Sequence, residues 1–84
     1  MSHARDVAEV MAQALADHPD QVRVIEVERG SKTVVELTVA PGDAGKMLGR
    51  QGRTIAALRT LVAATAEREG RSATLEFRDL PGRG

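Results

Sequence analysis

An α+β domain is written into three patterns of this sequence. Two alternating apolar runs flank a glycine-centred turn, two amphipathic helical stripes lie on either side of them, and a last alternating run follows the second stripe. The order is α-β-β-α-α-β. A three-stranded mixed sheet covered on one face by three helices is the economical way to bury these stripes.

Val7, Val10, Met11, Ala14 and Leu15 recur at helical spacing, with Asp6 and Glu9 near the start, where acids suit the helix dipole. His18-Pro19-Asp20 ends this first helix. Val22, Val24, Ile25 and Val27 form the first strand, Glu28 to Lys32 a turn, and Thr33 to Ala40 the second strand, with Val35, Leu37 and Val39 on one face. Pro41-Gly42-Asp43 closes that strand, and Asp43 suits the N-cap or first turn of a very short helix through Lys46 and Leu48. After Gly49 to Gly52, a stripe of Thr54, Ile55, Leu58, Leu61, Val62 and Thr65 predicts a long helix that Gly70 stops. Ala73, Leu75 and Phe77 alternate with Thr74, Glu76 and Arg78 as a third strand, expected parallel to the second because a helical crossover precedes it. Leu80-Pro81-Gly82-Arg83-Gly84 reads as a frayed tail.

With 84 residues, the chain is expected to be one small domain (1–84) with an ordered core from about 5 to 79. It contains no cysteine, which excludes a disulfide framework and a thiolate metal site. No signal peptide or membrane span is expected, and a cytoplasmic location is the default reading. The net charge is zero but unevenly spread: Lys46, Arg50, Arg53 and Arg59 face Asp43 alone between positions 43 and 60. Local charge determines what docks at that stretch.

Gly49-Arg50-Gln51-Gly52 opens the long helix inside that basic stretch. Two bare glycines let backbone approach a phosphate, Arg50 can pair with it, and Gln51 can donate to a phosphate oxygen or a sugar hydroxyl. The alternative is a simple turn between helices. No G-x-G-x-x-G follows a strand, and Gly42-Asp43-Ala44-Gly45-Lys46 has neither the spacing nor the Ser/Thr of a nucleotide P-loop. Phe77 is the sole aromatic, so a surface that stacks bases on exposed rings is excluded.

Strand, short helix, Gly-Arg-Gln-Gly, long helix and strand together resemble a KH domain, and the helix and hairpin before them resemble its type II form. The run Gly45-Lys46-Met47-Leu48-Gly49-Arg50-Gln51-Gly52-Arg53-Thr54-Ile55, followed by Ala57-Leu58-Arg59, is similar to the small bacterial single-domain KH proteins of the KhpA family. The resemblance extends from Val7 to Phe77. It implies that Gly49, Arg50, Gln51 and Gly52 hold the backbone of about four single-stranded RNA nucleotides. It also implies an adjacent groove for the bases, lined on this chain by some of Ala44, Met47, Leu48 and Ile55 with the edge near Ala73 to Leu75. Met47 and Leu48 replace the β-branched residues usual in the family, which alters groove shape but not its apolar character. The resemblance further implies an RNA chaperone or post-transcriptional regulator, homodimers or pairing with a larger KH protein of the Jag family, and links to cell elongation or division. Binding of single-stranded DNA and a mainly assembly-directed adaptor role stay open as alternatives.

Arg53 lies opposite the Ile55-Leu58-Val62 stripe and near the loop, where it adds to the phosphate field. Lys46 is open between a solvated face and the groove rim. Arg59 is expected to pack its stem over the core and pair its head with an acid. Ala56, Ala57, Thr60, Ala63 and Ala64 fall away from the core stripe as a partner face, or as good helix formers on a solvated one. Scattered carboxylates, isolated His3 and His18, and serines without a nearby base predict no enzyme, no metal and no cofactor.

Overall fold

The structure, a computed structural model, describes residues 3–78. Its elements are α1 (His3–Leu15), a 3-10 turn (Pro19–Gln21), β1 (Arg23–Arg29), β2 (Lys32–Thr38), α2 (Pro41–Leu48), α3 (Gly52–Arg68) and β3 (Ser72–Phe77). Asp79 and the expected tail of Leu80 to Gly84 lie outside the described residues.

β2 is the central strand, antiparallel to β1 and parallel to β3. The hairpin is tighter than the sequence suggests: Arg29 pairs with Lys32, so only Gly30 and Ser31 form its loop. Gly30 takes φ 66°, the left-handed backbone a two-residue hairpin loop needs. The short loop sets the register that turns Val24 and Leu37 to the helices and leaves Ile25 and Val27 on the other face. Ile25 is exposed accordingly.

The core packs Val35, Leu37, Ala73 and Leu75 of the sheet against Met47, Ile55, Leu58 and Val62 of α2 and α3. Each larger side chain contributes about 1.5–3 kcal/mol by leaving water. α1 departs from the expected stripe. Its buried face is Ala4, Ala8 and Ala12, with Val7, Met11 and Leu15 half-buried beside it, while Val10 is 63% exposed and Ala14 is also exposed. Methyl side chains at the line of closest contact let α1 lie close to its neighbours, and the bulkier residues fill the flanks. Likewise Leu61 of α3, expected inside, is 44% exposed, and Ala66 completes the buried face.

α3 ends in paired bonds from the Gly70 amide to Glu67 O and from the Arg71 amide to Ala66 O, with Gly70 at φ 70°. The turn aims Arg71 at the hairpin, where Nη2 donates to Glu28 Oε2 and Thr33 Oγ1, each at 3.1 Å. Thr33 Oγ1 in turn donates to Glu28, so the buried hydroxyl is satisfied.

Candidate nucleic-acid interface

The turn between α2 and α3 is built from backbone bonds. Gly49 N–H donates to Gly45 O, Gln51 N–H to Lys46 O and Gly52 N–H to Gly49 O, at 3.0, 3.0 and 3.2 Å. α3 then starts with no side-chain cap and no acid in its first turn. The amides of Arg53 and Thr54 have no backbone acceptor among the described residues. A positive helix end with free donors is suited to an anion.

The two glycines differ. A Cβ at Gly49 would stand 3.2 Å from Gly45 O, so the turn itself disfavours a side chain there. A Cβ at Gly52 meets nothing within 4 Å and its φ is not positive, so nothing inside the protein requires glycine. The bare position faces outward.

Arg50 and Arg53 are exposed and form no ion pair among the described residues, so both are available to a phosphate. Lys46 is not a free cation: its Nζ lies 2.8 Å from Asp17 Oδ1. Among the described residues Arg59 does not pair with an acid, contrary to the expectation from sequence. Its Nε donates to the Leu75 carbonyl at 3.4 Å, on the edge strand.

Of the residues expected to line a base groove, Ala44, Met47, Ile55, Ala73 and Leu75 are buried in the core and support the surface from beneath. Leu48 alone is exposed, at 45%. Beside it on α2, Gly42 and Gly45 are exposed, and a Cβ at either meets nothing within 4 Å. The apolar surface left accessible by these groove residues is therefore Leu48, with two bare positions of α2 beside it.

Ala56, Ala57, Thr60, Ala63 and Ala64 are all exposed. At about 100° per residue, Ala57 and Ala64 fall on the Leu61 side of α3, while Ala56 and Ala63 fall on the Arg59 side. Leu61 joins Asp6, Val7, Val10 and Met11 in lining an apolar groove of about 360 Å³ between α1 and α3.

A second, polar cleft of about 430 Å³ sits against the loop, lined by Asp17, Lys46, Arg50 and Gln51. Gln51 Oε1 is buried with no hydrogen-bond partner among the described residues. Asp17, which no motif or spacing in the sequence marks, is held there by Asp43. That buried carboxylate accepts the backbone amides of Asp17 at 3.0 Å and His18 at 2.9 Å, tying the end of α1 to the first turn of α2. Of the two expected positions, the N-cap is Ala40, and Asp43 takes the first turn of α2. Burial pushes its pKa up, but the two amides and His18 pull it further down, to below the ordinary 3.8. Nothing local in the sequence joins Asp17 to Lys46, since the contact exists only once α1 and α2 are packed.

Among the described residues no cluster of three or more His, Asp or Glu side chains can hold a metal ion, and no helix is long and apolar enough to cross a membrane.

An α-β-β-α-α-β fold whose two core helices meet at a G-x-x-G turn is a type II KH domain. The family model for the KH domain of KhpA and KhpB matches residues 5–77, and the chain belongs to that family. It is 45% identical over 75 residues to the RNA-binding protein KhpA of Halalkalibacterium halodurans, covering 89% of this chain and 99% of that one. It is 42% identical over 77 residues to RNA-binding protein KhpA of Aquifex aeolicus, covering 92% and 98% of the two chains. With RNA-binding protein KhpA of Bacillus subtilis it shares 38% identity over 77 residues, 92% of this chain and 95% of that one. No solved structure matches it.

Proposed function

We propose that this chain is a noncatalytic cytoplasmic protein that binds single-stranded RNA and acts as an RNA chaperone or post-transcriptional regulator. Gly49, Arg50, Gln51 and Gly52 hold the sugar-phosphate backbone, Arg53 adds charge, and bases lie along Leu48 and the bare face of α2. The observation that carries this reading is the convergence of free α3 amides, an outward-facing Gly52 and two unpaired arginines at one acid-free helix start. The names of its relatives agree with it. Hold of this kind positions a strand without reading its bases. A double change of Arg50 and Gln51 to Asp is expected to leave the helical signal intact and weaken binding to every short RNA tested. Unchanged affinity in the folded variant rejects the reading.

One observation favours a second role in assembly. Val10 and Leu61 expose large apolar side chains on one groove, next to Ala57 and Ala64. The occupant is a second copy of this chain or a larger KH protein of the Jag family. Solution mass measured over a concentration series tests the first, and a monomer at all concentrations rejects it.

A further inference from the structure

The cleft beside the loop contains more than a phosphate uses. Arg50 and the α3 amides already suit an anion, yet Asp17 places a carboxylate, 66% exposed, on the wall of the same cleft. A negative charge there opposes every polyanion that approaches, and a ligand that returns a hydrogen bond to it offsets that repulsion. The pair it forms with Lys46, Oδ1 to Nζ at 2.8 Å, sets an acceptor directly beside a donor. That is the complement of a hydroxyl group, which donates and accepts through one oxygen.

We propose that the Asp17–Lys46 cleft reads the ribose 2′-hydroxyl of the nucleotide whose phosphate meets Arg50, and thereby selects RNA over DNA. The hydroxyl donates to Asp17 and accepts from Lys46. Gln51 supplies a further donor: the hydroxyl oxygen's second lone pair can accept from its Nε2, and its Oε1 has no hydrogen-bond partner among the described residues, so turning the amide forfeits no bond at that atom. DNA meets the same carboxylate and offers nothing to it. Selectivity of this kind comes from a repulsive element as much as an attractive one. It is blind to base sequence, because the sugar is common to all nucleotides.

The inference rests on the loop holding a phosphate, and the test separates the two. Filter binding at fixed salt compares a randomised single-stranded RNA pool with a DNA pool containing deoxyuridine in place of thymidine, so that the sugar is the only difference. The unaltered chain is expected to favour RNA by about tenfold, the worth of one hydrogen bond to a charged group. Asp17→Ala is expected to bind DNA more tightly than the unaltered chain does and to bring the ratio to within about threefold of unity. The fold is expected to survive, because Asp43 holds the backbone amide of Asp17, which the substitution keeps. Should Asp17→Ala lose its helical signal, Asp17→Asn carries the test, since it keeps the side chain's shape and removes its charge, and the RNA-to-DNA ratio is expected to fall toward unity. Equal binding of both pools by the unaltered chain, or an unchanged ratio in the folded variant, overturns this inference alone. Failure to bind either pool overturns the reading of the loop as well.

Discussion

Asp43 Oδ2 accepts the backbone amide of His18 at 2.9 Å across 25 residues of sequence, and the carboxylate that does so is buried. The other oxygen accepts the Asp17 amide, so one side chain fixes the end of α1 against α2. Asp43→Ala is expected to cost about 2–4 kcal/mol in a urea melt, since two charge-assisted bonds are lost. The folded pKa lies below the ordinary 3.8, so the unfolded chain binds the proton more readily. This contribution is complete above the unfolded value and fades as pH falls through 3.8 and on through the folded value. Acid titration of Asp43→Asn is expected to show a shallower loss of stability over that window. An acid limb identical to that of the unaltered chain counts against the clamp.

The loop glycines are expected to separate fold from binding. Gly49→Ala presses a methyl to 3.2 Å from Gly45 O and is expected to destabilise by about 1 kcal/mol. Gly52→Ala meets no atom within 4 Å and is expected to keep or raise stability by about 0.5 kcal/mol through a stiffer unfolded chain. RNA affinity is nevertheless expected to fall in Gly52→Ala. Thermal melts and binding isotherms on the two variants decide the matter, and full affinity in Gly52→Ala removes the reason for a bare residue there.

On α1 the small residues are the structural ones. Ala8 is fully buried, so Ala8→Leu overpacks the contact and is expected to cost about 1–3 kcal/mol or more. Val10→Ala, at a side chain 63% exposed, is expected to stay within about 0.5 kcal/mol of the unaltered chain. The reverse order of stabilities contradicts the packing described.

Salt reads the cations of the interface. For roughly three neutralised phosphates, the logarithm of the RNA binding constant is expected to fall against the logarithm of salt with a slope of about −2. Arg50→Ala and Arg53→Ala are each expected to reduce that slope by about 0.7. Arg23→Ala is the control, because that guanidinium bonds the Asp20 and Val22 carbonyls beside β1, and it is expected to leave the slope unchanged.

Strand order and polarity, the G-x-x-G turn and the Ile55-Leu58-Val62 face are legible in the sequence, since alternation, helical spacing and glycine are local signals. The inward face of α1 is not. Valine and methionine outweigh alanine in any hydrophobic pattern, while close helix packing selects the residue with least bulk. The same limit explains Ala44, Met47, Ile55, Ala73 and Leu75: an apolar side chain looks identical in sequence whether it is covered by its own chain or left open to a base. Asp17 with Lys46 and Arg59 with the Leu75 carbonyl are tertiary contacts, and no periodicity encodes them.

The Arg59 contact has one more effect. In a parallel ladder, alternate residues of a strand face the same neighbour, and the Arg78 amide donates inward to Leu37 O. The Leu75 carbonyl, three residues earlier, therefore faces the unpaired flank of β3. There a guanidinium occupies an acceptor in the middle of the strand. An incoming chain that tried to extend the sheet would have to displace that cation first, which makes α3 a guard against fibre-like aggregation as well as the bearer of the loop.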